Sequence, residues 1–272
     1  MPAQYVKPYV KRNKTDGRDA EAICEAMSRP NMRFVAVKSE EAQAVLALHR
    51  TRALLVRQRT MLANALRTGL AEFGMVAAQG VAGLRRLMAL LAAQEEALPE
   101  AARAALSLVA VQWETLDGAV RKLEAQIVRA ARADAAAQRL MEIPGVGPIG
   151  ASAITAKVGD AGAFRSGRDF AAWLGLTPRQ CGSGGKQRSG GISKQGDRSV
   201  RQLLILGAAS QLRQARSRGV ADPWLRNLLA RRPFKVVATA LAAKTARIIW
   251  ALLKTGERYR GRPHRIGAAA AA

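Results

Sequence analysis

Acid is what this chain lacks most for its size. Across 272 residues it carries 20 Asp and Glu against 44 Lys and Arg, a net charge of +24, and no acidic residue precedes Asp16. That imbalance points to a polyanionic partner, because neutralising phosphates supplies the sequence-independent part of nucleic-acid affinity. Richness in Ala, Arg and Gly is also a trait of biased genomes, but such a bias does not by itself remove acids. Cysteine is almost as scarce. Cys24 and Cys181 are the only two and no spacing pairs them, which excludes a disulfide scaffold and suits a reduced compartment. His49 and His264 are equally isolated, which excludes a zinc site of the Cys/His type. No charged-then-apolar signal segment opens the chain. No uninterrupted apolar run approaches the roughly 20 residues needed to cross a bilayer. The expectation is a cytoplasmic protein with no membrane partner, and 49% hydrophobic residues provide for a real core.

What is present falls into three stretches. Residues 1–38 combine a short strand pattern (Tyr5, Val6, then Tyr9, Val10), a helix from about Thr15 to Met27 that stops before Pro30, and an extended piece from Arg33 to Val37. Ser39 with Glu40 and Glu41 starts a long helix, since acids in a first turn complement the helix dipole. It carries one stripe of Val45, Leu48, Leu55, Leu62, Leu66 and Phe73, with Arg50, Arg52, Arg57, Arg59 and Arg67 assigned to the other faces and Gly74 at its end. From Leu106 the spacing alternates three and four without a slip through Val109, Trp113, Leu116, Val120, Leu123 and Ile127, the seam of a coiled coil. Leu84, Leu87, Met88 and Leu91 supply a candidate antiparallel partner, with the turn at Leu98-Pro99-Glu100. Beyond Leu140 glycine-rich turns separate helices, and Asp197 caps a helix containing Val200, Leu203, Leu204, Leu206 and Leu212. The predicted divisions are 1–74, 75–136 and 137–272.

Three constellations carry chemistry. Asp16 and Asp19 stand at i and i+3 in Lys14-Thr15-Asp16-Gly17-Arg18-Asp19-Ala20, a spacing that lets both carboxylates face one metal ion. Helix-dipole acids would look the same. Ile143 to Ala151 has the form of a helix–hairpin–helix turn. Its Gly145, Val146 and Gly147 would bring backbone close to a phosphate, although an ordinary Pro-Gly turn between packed helices uses the same residues. Gly182-Ser183-Gly184-Gly185-Lys186 places a sterically open serine beside two cations, Lys186 and Arg188. That suits a hydroxyl attacking a phosphodiester, and a flexible Gly/Ser linker has the same composition. Ser189 and Ser193 compete with Ser183 for the role.

Together these residues resemble the insertion-sequence-110 transposases. The resemblance rests on the run Ala3 to Lys11, the Lys-Thr-Asp-x-x-Asp-Ala box at 14–20, Arg29-Pro30 with Arg33-Phe34-Val35, His49-Arg50-Thr51-Arg52, Gln58-Arg59-Thr60 and Glu72-Phe73-Gly74. It continues through Pro144-Gly145-Val146-Gly147, Gly175-Leu176-Thr177-Pro178, Ser183-Gly184-Gly185-Lys186 and Ile192-Ser193-Lys194-Gln195-Gly196-Asp197. The resemblance implies a mainly α chain: the C-terminal remnant of an RNase H/RuvC-like α/β domain, a long helical coiled-coil segment, and a helical transposase domain with a helix-hairpin-helix-like turn. It implies four acids holding Mg²⁺, the last two at Asp16 and Asp19, and a catalytic serine at Ser183 that becomes covalently joined to DNA. Gly184, Gly185, Lys186, Arg188 and Lys194 would then contact nucleic acid. Implied partners are double-stranded DNA, a structured guide RNA of the element and further copies of the chain in a dimer or tetramer, in a bacterial cytoplasm at the nucleoid.

The family's first two acids have no counterpart before Asp16, so the expectation is an N-terminally truncated copy, its opening piece showing an unpaired sheet edge. The alternative is a non-catalytic DNA- and RNA-binding remnant that modulates full-length transposase.

Overall fold

The computed structural model describes residues 1, 3–10, 15–30, 32, 34, 37–93, 98–183, 186–219 and 222–261, and among them the chain is mainly helical. It divides into two compact units, Met1–Ser39 and Glu40–Ala272.

In the first unit α1 (Ala3–Val6) runs into a 3-10 turn at Lys7–Tyr9, and α2 spans Asp16–Met27. The strand expected from Tyr5, Val6, Tyr9 and Val10 is therefore helical as far as Tyr9. Pro8 sits in the first turn of the 3-10 segment, where its fixed φ and missing N–H are tolerated, and no strand among the unit's described residues offers a ladder. The expected open sheet edge has no counterpart among those residues. Helix α2 starts where its cap dictates: the Thr15 hydroxyl accepts the Arg18 N–H at 3.4 Å. Of the extended piece at 33–37, only Phe34 and Val37 lie within the described residues, both exposed and in neither helix nor strand.

The second unit opens with α3 (Glu40–Ala71), 32 residues or about 48 Å at helical rise, followed by α4 (Val81–Ala93) and α5 (Glu100–Ala133). Helices α3 and α5 are antiparallel neighbours. Gly69 meets Leu106, Arg59 meets Asp117 and Arg52 meets Glu124, so position rises along one helix as it falls along the other. The seam predicted on α5 is inward-facing, with Trp113, Val120 and Ile127 fully enclosed. Its main partner is α3, not the 84–91 segment. That segment, as α4, packs Leu84, Leu87 and Leu91 with Leu66, Leu70, Met75, Leu98 and Trp113 at the end of the pair. The reason lies in the arginines. Arg52 and Arg59 lie toward α5 and are neutralised there, whereas a reading by apolar stripe alone assigns them to solvent.

The rest is a helical cluster: α6 (Ala135–Met141), α7 (Pro148–Val158), α8 (Gly167–Trp173), α9 (Arg198–Arg218), α10 (Pro223–Arg231) and α11 (Phe234–Thr255). Phe170, Leu174, Ile154, Leu140, Leu212 and Ile249 form its centre, fully buried. Helix α11 is long and apolar enough to cross a membrane by length and composition. In this fold its stripe of Val237, Ala238, Leu241, Ala242, Ala246, Ile249 and Leu252 is instead buried in the cluster. One two-stranded antiparallel sheet interrupts the helices between α8 and α9, β1 (Pro178–Ser183) with β2 (Lys186–Ile192).

Candidate nucleophile and nucleic-acid interface

The glycine- and serine-rich stretch read from sequence as an irregular loop is thus a β-hairpin. Its polar residues hide the apolar alternation by which strands are recognised. The signal was the two-residue Gly184-Gly185 step between paired positions, a composition that short hairpin connections favour. Those two glycines lie outside the described residues. The register pairs Ser183 with Lys186, Gly182 with Gln187, Cys181 with Arg188 and Gln180 with Ser189, then slips before Pro178 and Ile192. Opposed residues share a face and faces alternate along a strand, so positions 181, 183, 186 and 188 form one face and 180, 182, 187 and 189 the other. Position 183 is therefore on the side of Lys186 and Arg188, both exposed, and position 189 is not. Ser193 lies beyond β2, and its N–H donates to the Thr177 carbonyl at 2.8 Å.

The hairpin is rooted in a tight structure. The Lys194 N–H donates to the Gly175 carbonyl at 3.1 Å, with Lys194 itself at φ 57°. Asp197 caps α9 through the Val200 N–H at 2.8 Å, receives Lys157 Nζ from α7 at 2.6 Å and accepts the Ser199 hydroxyl at 2.8 Å. Burial works to raise the Asp197 pKa, but the bonds from Lys157, the Val200 amide and Ser199 outweigh it and hold the carboxyl below its ordinary range. Arg201, only 8% exposed, donates from Nη1 to the carbonyls of Leu174 and Gln195, both at 3.0 Å. Residue type and spacing assign no role to Lys157 or Arg201, since Asp197 lies 40 residues from Lys157, and Arg201 is partnered by backbone carbonyls.

The turn between α6 and α7 holds Gly145 at φ 82°, and its Val146 N–H donates to the Ile143 carbonyl at 3.0 Å. Val146 is buried in the cluster, and a Cβ on Gly145 would lie 2.9 Å from the Gly207 carbonyl of α9. Glycine at 145 is thus required by packing on α9, and the turn's open side is at Gly147, around which nothing would obstruct a Cβ.

Asp16 and Asp19 share the first turn of α2. Among the described residues no group of three His, Cys, Asp or Glu comes together. Two carboxylates match what Mg²⁺ takes from protein when water and phosphate oxygens fill its remaining positions.

Comparison with known proteins gives this geometry its class. Residues 137–229 match the family described as "Transposase IS116/IS110/IS902 family", and residues 2–75 match a second family described as "Transposase". A "Probable family 20 transposase" of Pseudomonas aeruginosa is 51% identical over 265 residues, covering 94% of this chain and 77% of that one. The "Transposase for insertion sequence element IS1328" of Yersinia enterocolitica is 41% identical over 254 residues, covering 93% and 75%. The "Transposase for insertion sequence element IS1111A" of Coxiella burnetii is 41% identical over 259 residues, covering 94% and 71%. The class is therefore an enzyme of DNA transposition, a transposase. The chain belongs to the IS110/IS116/IS902 family of insertion-sequence transposases. Transposases of the second matched family typically use a divalent metal.

Proposed function

We propose that this chain cuts and exchanges strands of double-stranded DNA through a covalent bond between Ser183 and a DNA phosphate. The observation that carries the reading is the hairpin register: position 183 is directly opposite Lys186 and two pairs along from Arg188, on the same face. The serine hydroxyl releases its proton to solvent as its oxygen bonds to phosphorus, and the bond from phosphorus to one deoxyribose oxygen breaks. The leaving sugar oxygen takes up a proton, and attack by another strand's hydroxyl reverses the step and releases the serine. Lys186 and Arg188 stabilise the charge that builds on the attacked phosphate. Gly184 and Gly185 leave room for the DNA backbone, and Lys194 and the Gly145–Gly147 turn contact phosphates nearby. Asp16 and Asp19 would hold Mg²⁺, which neutralises phosphate charge when bound.

Residues 137–272 form the transposase domain in this reading, 75–136 the helical segment and 1–74 the metal-holding part. The element's structured RNA directs the choice of site, and the working form is a homo-oligomer in the cytoplasm at the nucleoid.

The test is a denaturing gel of protein incubated with Mg²⁺, element-end DNA and the element's RNA. Ser183→Ala should abolish the protein–DNA adduct and retain DNA binding, while Ser189→Ala and Ser193→Ala keep the adduct. An adduct at the wild-type level from Ser183→Ala overturns the nucleophile.

A further inference from the structure

We infer that Arg201 is the positioning residue that aims the hairpin, a role resting on the reading of Ser183 as nucleophile. Arg201 sits on the first turns of α9, buried, yet neither of its described hydrogen bonds goes to a carboxylate. Nη1 donates to two backbone carbonyls, Leu174 at the end of α8 and Gln195 just past β2, each at 3.0 Å. One guanidinium therefore ties together the chain entering the hairpin, the chain leaving it, and α9.

The surrounding backbone is closed around that bond. Thr177 and Gly175 accept the N–H groups of Ser193 and Lys194, so two ladder-like bonds continue the hairpin toward Arg201. Lys194 holds a left-handed φ of 57°, a conformation that persists in a non-glycine residue only where its surroundings over-determine it. Gly196 lies against the Trp173 carbonyl so closely that a Cβ there would clash with it. Loss of Arg201 strands the buried Leu174 carbonyl, releases the part-buried Gln195 carbonyl, and leaves the strained exit from β2 without its anchor. The hairpin tip is reached only through this root. A shift at the root therefore moves position 183, and misplacement of a reacting group by about 1 Å costs about 10²-fold in rate.

Arg201 also borders an open groove with Arg198, Gln202, Ile205 and Leu206, so direct contact with DNA is the competing role. The two roles separate experimentally. Wild type, Arg201→Lys, Arg201→Gln and Gly196→Ala are compared in the full chain by hydrogen exchange, DNA affinity and single-turnover adduct formation. Gly196→Ala disturbs the same root without removing a charge. The expected result is faster exchange at the Ser193 and Lys194 amides in Arg201→Gln and Gly196→Ala, with protection of α11 unchanged. Adduct formation should fall about 10²-fold in both, DNA affinity should hold, and Arg201→Lys should recover part of the rate. Unchanged exchange at 193 and 194 in Arg201→Gln overturns the proposal. So does a loss of DNA affinity that matches the loss of rate, or a fully active Gly196→Ala with a loosened root. If Ser183→Ala still forms the adduct, the nucleophile assignment fails, while the exchange data still report whether Arg201 holds the hairpin.

Discussion

Along the α3–α5 pair, Arg59 and Arg121 converge on the buried carboxylate of Asp117, each at 2.6 Å, with Arg85 at 3.8 Å. Arg52 binds Glu124 through Nε at 2.8 Å, and Arg67 donates to the carbonyls of Ala77 and Gly80. Along the hairpin Lys186 and Arg188 are exposed opposite Ser183 and Cys181. The same residue types set helix register in one region and face solvent in the other. A net charge of +24 therefore overstates the surface available to nucleic acid: of the five arginines on α3, only Arg50 and Arg57 are exposed. The two inward arginines, 52 and 59, and their acids, 124 and 117, are each one heptad apart. Slipping the antiparallel pair by one turn would break both bridges together.

The largest effect that tests this contrast is at the hairpin. Lys186→Ala should reduce the single-turnover rate of adduct formation by about 10²–10³-fold, as loss of one donor to a developing oxyanion does. Its unfolding free energy should stay within about 0.5 kcal/mol of wild type, because an exposed cation away from buried networks contributes little. A lowered urea midpoint with an unchanged rate would make Lys186 a structural residue and erase the difference between the regions.

Asp117→Ala should do the reverse. It removes the acceptor of two short charge-assisted bonds, and Arg59, about a quarter exposed, keeps its charge without that partner. Arg85 and Arg121 turn to water, being more than half exposed, so the expected loss is about 2 kcal/mol, below the value for a fully enclosed pair. The measurement is the urea midpoint, with the adduct rate per folded molecule unchanged. A variant as stable as wild type would show that apolar contacts alone set the α3–α5 register.

These regions also differ in how far sequence exposes them. Helix starts at Asp16, Glu40 and Arg198 are legible because their caps are local: Thr15, the Ser39–Glu41 run and Asp197 act within a few residues. The α5 seam is legible because its period is intrinsic. The partner of that seam was not, since the matching face of α3 includes Arg52 and Arg59, whose neutralising acids lie about 60 to 70 residues away. The hairpin was not, since strand recognition rests on one apolar face and this ribbon has none. Ser183 and the Asp16/Asp19 pair were singled out by residue type and resemblance. The root that carries the serine, built from Arg201, Lys157 and backbone carbonyls, exists only in three dimensions.

The smallest effect lies where the helical pair meets the cluster. His49 of α3 contacts the Ser152 hydroxyl of α7 through Nε2 at 3.1 Å. Burial foremost, then the charges of Lys157 and Arg52, holds its pKa down to about 4 from 6.5. The folded chain therefore resists a proton that the unfolded chain accepts, and stability is complete above pH 6.5 and declines as pH falls toward 4. Allowing for partial exposure, the loss across that window is about 1 kcal/mol. The lowered carboxyls of Asp197 and Asp222 act at lower pH, since their ordinary value is 3.8. Unfolding free energies at pH 7 and pH 5 should thus converge in His49→Gln and differ in wild type. Equal slopes in the two proteins would place the proton uptake elsewhere. A slope that vanishes only in His49→Gln ties the acid sensitivity to the contact between α3 and α7, a helical junction that the hairpin chemistry does not require to be charged.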